Sequence, residues 1–239
     1  MAAALLLRTM VMPRQILLNS PRIDNFLIES GGAGLMVAPG DQPDRTGGRP
    51  MADQTQPKTP QPEVQIQLVH ELSPGDIDDL CDATDAAILG GGGFGWIKLP
   101  AREILERYWR GVLAMPSRLL FVARLDGVIC GTAQLMMPPR NNEAQNFIAS
   151  MTTVFVAPWA RGHGLARLLV ENIEGAAREE GIGVIHLDVR ETLDAAIRLY
   201  EAMGYIHCGT NPYYARIDGK IIPGRYYYKV IDPALANPA

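Results

Sequence analysis

The part of the chain best suited to chemistry is residues 154–166, where a β-branched segment passes Pro158, turns at two glycines and enters an amphipathic helix. The first turn of a helix leaves backbone N–H groups without internal partners, and the helix dipole adds partial positive charge there. Gly162 and Gly164 carry no Cβ that would keep an anion from these groups, and Arg161 can add a forked cation. The pattern therefore predicts a phosphate-binding loop at the start of a helix.

Two well-known classes of phosphate-binding loop do not fit this segment. It contains neither the G-x-G-x-x-G of dinucleotide-binding folds nor the Lys-Ser/Thr end of a P-loop. It resembles the R-x-x-G-x-A loop of the GCN5-related N-acetyltransferases (GNAT), with Arg161, Gly164 and Ala166 at the matching positions. A glycine turn that only marks the start of a helix is the alternative interpretation of the loop alone.

The resemblance implies that this loop binds acetyl-coenzyme A as the acyl donor. The diphosphate would rest on the amides of residues 162–166, and the pantetheine arm would run along the preceding strand like an added strand. In the family, a bulge parts the fourth and fifth strands and leaves backbone groups free for the thioester. The residues assigned to the donor are Val154, Val156, Arg161, Gly162, His163, Gly164, Leu165 and Ala166.

A second motif follows at the spacing that the same family shows. Residues 183–189 predict a buried strand, and residues 195–203 predict a helix that ends at Gly204. The stretch from Leu199 to Tyr205 is similar to the L-Y-x-x-x-G-[FY] signature that follows the phosphate loop. The resemblance assigns Tyr200 the role of protonating the departing thiolate. Without the motif, Tyr200 would be interpreted as a core tyrosine on a helix face.

His186 and Asp188 form a polar pair on the predicted fifth strand. Because they are two residues apart, their side chains point to one face, near the place where the strands should part. One hypothesis is that Asp188 orients the amine or takes its proton, directly or through water, with His186 assisting. The other is that Asp188 caps the following turn and His186 is a satisfied interior histidine. The residues alone leave both open.

Hydrophobic periodicity predicts the elements that must position these residues. Strands are expected at residues 64–70, 119–124, 128–135, 147–156, 183–189, 206–209 and 226–231, and helices after Ser73, over 100–113, after Gly164 and over 195–203. Helical spacing places Ile104 on a buried stripe and Glu174 on a polar face. This order is that of the GNAT fold, an α/β (α+β) fold with a mixed, mainly antiparallel sheet of six to seven strands flanked by about four helices.

The C-terminal half of the chain narrows the resemblance. From Leu119 to Lys229, and most of all around His186 to Asp188 and Pro212 to Tyr214, it is similar to tabtoxin-resistance-type acetyltransferases. The implied function is direct transfer of an acetyl group to the amine of a small molecule through a tetrahedral intermediate. Acetylation of a protein lysine or N-terminal amine is one alternative, and a non-catalytic coenzyme A-binding or dimerisation module is another. The acceptor-site candidates are Phe94, Trp96, Tyr213 and Tyr214.

Composition argues against several other classes of protein. A net charge of −4 and a pI near 5.6 do not favour nucleic acid or an anionic membrane as partner, and no stretch approaches the length of a membrane span. The cysteines, Cys81, Cys130 and Cys208, form neither C-x-x-C nor an even framework, so a cytoplasmic location is expected and Cys130 and Cys208 are expected to pack. The four histidines lack ligand spacing, so no metal is expected. The sequence leaves open whether the protein is a homodimer.

The ends of the chain are predicted to lie outside the fold. Residues 1–62 are rich in Gly and Pro and are predicted to be a disordered leader or linker, with Met51 as an alternative start. A transit peptide is a further interpretation of the arginine-bearing first segment. Residues 63–232 are predicted to form the acetyltransferase domain, and residues 233–239 a flexible tail.

Overall fold

A computed structural model describes residues 61–92 and 95–235. The helices and strands, in chain order, are β1 (Val64–Val69), α1 (Pro74–Leu89), α2 (Arg102–Leu113), β2 (Arg118–Leu125), β3 (Val128–Met136), β4 (Ile148–Val156), α3 (Leu165–Glu179), β5 (Val184–Arg190), α4 (Asp194–Ala202), β6 (Ile206–Ile217) and β7 (Lys220–Val230). The predicted leader, the alternative start at Met51, Phe94 and the last residues of the predicted tail lie outside the described residues.

The seven strands form one sheet in the order β1-β2-β3-β4-β5-β7-β6. All neighbouring strands are antiparallel except β4 and β5, which are parallel. The connection from β4 to β5 runs through α3, as a parallel pair requires a crossover. The predicted fold class, a mixed and mainly antiparallel sheet with four helices, is confirmed.

Local signals explain where the first elements begin and turn. Ser73 caps α1 through a capping box, in which its hydroxyl accepts from the amide of Asp76 and the Asp76 carboxylate accepts from the Ser73 amide. Asp126 and Gly127 both have positive φ, 50° and 84°, which is the type I′ hairpin conformation that this dipeptide favours. The two strands predicted on either side of that turn, β2 and β3, therefore pair as expected.

Helices cover the two faces of the sheet unequally. One core joins α3 and α4 to residues such as Met151, Ile185 and Leu187, while a second joins α1 and α2 to Leu120 and Phe155. Side chains alternate along each strand, so the face of β5 opposite Ile185 and Leu187 points to the side of α1 and α2. The helices α1 and α2 pack on β2, β3 and β4, and the residues of β5 on that face stay exposed.

The last hairpin is longer than predicted. Strand β6 has 12 residues and β7 has 11, where only short strands were expected. Pro212 and Pro223 lower strand propensity, but Pro212 is on β6 at the sheet edge, where proline removes no interior hydrogen bond, and Pro223 on β7 faces the unpaired part of β6. The register between β6 and β7 also shifts between Asn211 and Ala215, so a bulge absorbs the irregular residues.

Two side chains lie on the opposite side of a helix from the prediction. Ile104 on α2 is 46% exposed, although it was placed on the buried stripe. Glu174 on α3 is 5% exposed, although it was placed on the polar face. The Lys229 ammonium on β7 donates to both Glu174 carboxylate oxygens, at 2.7 and 2.8 Å, which is why an acid can be buried there. This ion pair ties α3 to the sheet.

We expect Glu174→Gln to lower the free energy of unfolding by about 2 kcal/mol, because Lys229 would keep its partly buried charge without a counter-ion. The measurement is urea unfolding followed by circular dichroism. Glu171→Gln on the same helix is the matched control, since the exposed pair between Glu171 and Arg167 should contribute less than about 0.5 kcal/mol. Equal stability losses in the two variants would contradict this assignment.

Candidate active site

The turn before α3 has the conformation that a phosphate loop needs. Gly162 and Gly164 have φ values of 89° and 74°, and Gly164 directly precedes the first residue of α3. A Cβ built on either glycine would meet no atom within 4 Å, so the space in front of this turn is open. Arg161 and His163 are exposed beside it, and the first helical bond runs from the amide of Leu168 to the carbonyl of Gly164. The amides of the first turn precede that bond.

Strand β4 carries a bulge where it approaches this turn. Thr132 on β3 is opposite Phe155, and Gln134 is opposite Thr152, so β4 has one more residue than β3 between these pairs. Thr153 takes up the irregularity with a φ of 54°, an uncommon conformation for a β-branched residue. Such outliers persist where the surrounding structure holds them, often beside functional sites.

Beyond the bulge, β4 and β5 separate. They pair only over Ile148–Ser150 and Val184–His186. The backbone groups of β4 that face β5 past this point therefore have no strand partner in the sheet. Among the described residues, the hydroxyl oxygen of Thr152 is also buried without a hydrogen-bond partner. The result is a gap with open hydrogen-bonding groups next to the N-terminus of α3.

Tyr200 on α4 belongs to the core that α3 and α4 form on the sheet. It is 6% exposed, and its ring packs edge-on against Tyr205 with centroids 5.8 Å apart. Burial raises the pKa of Tyr200 well above its usual value, and the negative charge of Asp188 raises it further. The hydroxyl therefore stays protonated at neutral pH and can act as a proton donor.

His186 and Asp188 are both exposed on the same face of β5. The interpretation of His186 as an interior histidine is therefore wrong, because only its neighbours Ile185 and Leu187 point into the core. The Asp188 carboxylate accepts a hydrogen bond from the Tyr214 hydroxyl on β6. A cleft of about 250 Å³, here named the polar trough, is lined among others by Ser150, His186, Asp188, Cys208 and Tyr226.

Comparison with known proteins identifies the family. Residues 90–205 match the sequence profile of the Acetyltransferase (GNAT) family. An uncharacterized N-acetyltransferase of the hisH-hisA intergenic region in Azospirillum brasilense is 60% identical over 130 residues, which are 54% of this chain and 77% of that protein. The chain belongs to the GNAT acetyltransferase family. It is an acyltransferase.

Other GNAT relatives are more distant. Streptothricin acetyltransferase of Streptomyces lavendulae is 32% identical over 93 residues, or 39% of this chain and 47% of that protein. The N-alpha-acetyltransferase RimI of Mycobacterium tuberculosis is 32% identical over 107 residues, or 45% of this chain and 64% of that protein. The structure of yncA from Salmonella typhimurium, solved with its cofactor acetyl-CoA, has a TM-score of 0.59 at 18% identity and covers 74% of this chain and 98% of yncA.

The acceptor-site candidates lie in different parts of this GNAT fold. Tyr214 reaches Asp188, whereas Tyr213 is 81% exposed. Trp96 packs against Tyr108 of α2, with ring centroids 5.1 Å apart, and Phe94 lies outside the described residues. Tyr214 is thus the candidate whose hydrogen bond joins it to Asp188.

Two cysteines behave differently from each other. Cys130 is buried, and burial raises the pKa of its thiol to about 11, so its predicted packing role is confirmed. Cys208 is exposed in the polar trough, so the packing prediction was wrong for it. A register shift between His207 and Gly209 leaves Cys208 outside the regular alternation of β6.

Sequence reasoning missed Ser150, which lies in the trough opposite His186. Its position depends on the pairing of β4 with β5, and a serine inside a predicted strand carries no signal of its own.

In the part of the chain that the structure describes, no helix combines the length and apolar character needed to cross a membrane.

Proposed function

We propose that this protein transfers the acetyl group of acetyl-coenzyme A directly to the amine of a small molecule. The observation that carries the proposal is the separation of β4 and β5 beside the N-terminus of α3, with Asp188 two residues past the last paired residue of β5. A gap of this kind lets a donor lie along β4 while an acceptor approaches from the polar trough on the other side. The structure of yncA with acetyl-CoA supports the choice of donor.

The donor side fits a diphosphate followed by an extended arm. The two glycines in the left-handed region leave open space in front of the amides of residues 162–166, where an anion can approach. Arg161 and His163, both exposed there, would add positive charge or hydrogen bonds, while Leu165 is buried and anchors the helix start in the core. Val154 and Val156, past the last residue paired with β5, would offer backbone groups to the arm.

The residues around the gap would each perform one part of the transfer. Asp188, assisted by His186, would attract the protonated acceptor and take the proton that the ammonium must lose before it attacks, and the second proton would leave the nitrogen to solvent after the C–N bond has formed. A backbone N–H at the bulge around Thr153 would stabilise the charge that develops on the carbonyl oxygen. Tyr200 would give its proton to the sulfur as the C–S bond breaks, and solvent would then restore both protonation states. No side-chain nucleophile is required.

The size of the trough favours a small acceptor. About 250 Å³ is below the range of roughly 300–1,000 Å³ that is usual for small-molecule sites, so the trough would hold a small amine or one amine-bearing group of a larger molecule. The exposure of His186 and Asp188 supports a second candidate, the N-terminal amine of a peptide. The two named relatives, one acting on streptothricin and one an N-alpha-acetyltransferase, have the same 32% identity and so favour neither.

The test is release of free thiol from acetyl-coenzyme A against a panel of amines. The panel contains amino acids, amine antibiotics, polyamines and peptides with free N-termini. We expect activity to concentrate on one class of small amine. Activity confined to peptides would select the second candidate, and acetyl-coenzyme A binding without thiol release from any amine would indicate a non-catalytic module.

We expect Gly164→Ala to weaken acetyl-coenzyme A binding at least fivefold, on the order of 1 kcal/mol, because a non-glycine residue in this left-handed conformation is strained and the loop must shift to relieve it. Titration of the donor by calorimetry measures the change. Gly175→Ala is the control, since Gly175 lies inside α3 with open space at its Cβ position, and alanine there should leave binding unchanged. Unchanged binding in Gly164→Ala would place the diphosphate elsewhere.

A further inference from the structure

The bulge in β6 brings one tyrosine across the neighbouring strand. Asn211 is opposite Gly224 and Ala215 is opposite Ile222, so three residues of β6 lie opposite a single residue of β7. Inside this bulge the amide of Tyr213 donates to the side-chain oxygen of Asn211, which closes a tight local turn. The hairpin therefore departs from regular pairing at a defined place, beside the polar trough.

Tyr214 lies flat over Gly224 as a result. A Cβ built on Gly224 would lie 2.1 Å from Cγ of Tyr214, so the ring occupies the space that any other residue would fill. Gly224 has an ordinary backbone conformation, since its φ is not in the positive range. The requirement for glycine at this position is thus the close approach of the Tyr214 ring.

From this place the Tyr214 hydroxyl donates to the Asp188 carboxylate. The ring is braced edge-on by Tyr226, with centroids 6.2 Å apart. Burial, together with the hydrogen bond to Asp188, raises the pKa of Tyr214, so the hydroxyl remains a donor throughout the neutral pH range. Asp188 therefore has a tyrosine of the edge hairpin as its hydrogen-bond partner.

We infer that Tyr214 is a positioning residue, whose hydroxyl holds one Asp188 carboxylate oxygen so that the other is directed at the acceptor amine. The inference rests on the proposed function. A carboxylate at the end of an exposed side chain samples several rotamers, and one hydrogen bond to it reduces that freedom. The hairpin would then contribute to catalysis through Asp188 alone, without contacting the reacting atoms.

Two variants remove the contact in different ways. Tyr214→Phe deletes only the hydroxyl, and Gly224→Ala displaces the ring while leaving the tyrosine in the chain. We expect both to lower kcat/KM for the acceptor about tenfold, the usual effect of losing a hydrogen bond to a charged group, with the KM for acetyl-coenzyme A unchanged. Thermal unfolding of both variants checks that the fold persists.

A double-mutant cycle separates positioning from a general effect on structure. If Tyr214 acts through Asp188, adding Tyr214→Phe to the Asp188→Asn variant should lower kcat/KM for the acceptor by less than about twofold. Tyr227→Phe is the matched control, because its hydroxyl donates to another carboxylate, Glu201, at 3.0 Å. In the double variant, the fold losses in kcat/KM caused by Tyr227→Phe and by Asp188→Asn should multiply. The inference would be overturned if Tyr214→Phe lowered kcat/KM by the same factor in the wild-type enzyme and in the Asp188→Asn variant.

A spectroscopic measurement tests the contact without relying on turnover. With ¹³C-labelled aspartate, the Asp188 side-chain carboxyl resonance should move in Tyr214→Phe and Gly224→Ala and stay in place in Tyr227→Phe. An unmoved resonance would overturn the inference even in an active enzyme. Conversely, a wild-type protein that is inactive towards every amine would overturn the proposed function and the catalytic role together, while the resonance would still report whether Tyr214 holds Asp188.

Discussion

Tyr200→Phe is expected to lower kcat for acetyl transfer about 100-fold or more, with less than about a threefold change in the KM for acetyl-coenzyme A. The tyrosine is buried, burial and the charge of Asp188 raise its pKa, and the proposal directs its hydroxyl at the departing thiolate. Phenylalanine keeps the packing and removes only this proton. Steady-state thiol release at saturating acceptor, with the donor varied, measures both constants.

Tyr205→Phe is the matched control for this prediction. Tyr205 is also a buried core tyrosine, its ring is 5.8 Å from that of Tyr200, and the carboxylate that acts on its hydroxyl is Glu174 rather than Asp188. Loss of a Tyr205 hydroxyl should therefore leave kcat within about twofold. A Tyr200→Phe enzyme with wild-type kcat, or a Tyr205→Phe enzyme with the same large loss, would remove Tyr200 from the proposed mechanism.

Elements with their own local signals were predictable from the sequence. The cap at Ser73, the Asp126-Gly127 turn and the glycines before α3 each specify backbone conformation through neighbouring residues. The alternation of β1 likewise appears in its burial pattern. Since these signals are short-range, the element order followed from them, and the resemblance of that order to the GNAT fold implied a mixed sheet with four helices.

The geometry of the acceptor side depends on long-range pairing, which short-range signals do not contain. The length of β6 and β7, the bulge near Tyr214 and the exposure of Cys208 all follow from the register of two strands around Pro212 and Pro223. The sequence did not predict that position 224 must be glycine, because the space for a side chain there is filled by the ring of Tyr214, which is ten residues away in the chain.

The donor and acceptor sides depend on different structural supports. The loop before α3 is held by the helix itself, which is anchored by Leu165 in the core and by the Glu174–Lys229 pair to β7. The polar trough is built on β5 and on the edge hairpin, with Tyr214 as the link between them. Changes in the hairpin should therefore alter acceptor use while donor binding persists.

Asp188→Asn is expected to lower kcat/KM for the acceptor about 100-fold near pH 7 and to change its dependence on pH. Most alkyl amines are protonated at neutral pH, and an exposed carboxylate beside the gap can attract the ammonium and receive its proton. The asparagine variant must instead use the neutral amine present in solution, whose fraction grows about tenfold per pH unit below the pKa of the amine. We therefore expect log kcat/KM to rise with a slope near 1 between about pH 6 and 9 in the variant, and less steeply in the wild-type enzyme.

Asp218→Asn, in the turn of the neighbouring β6–β7 hairpin, provides the same chemical change at a residue that does not line the trough. Asp218 is exposed at the turn between β6 and β7 with a φ of 48°, a conformation that asparagine also adopts readily. Its pH profile should coincide with that of the wild type. If Asp188→Asn also kept the wild-type profile at reduced rate, the carboxylate would only orient the amine, and the proton would have to leave through His186 or solvent. A wild-type rate together with a wild-type profile would show that Asp188 takes no part in the reaction, and would contradict the proposal that the acceptor binds in the polar trough, which Asp188 lines.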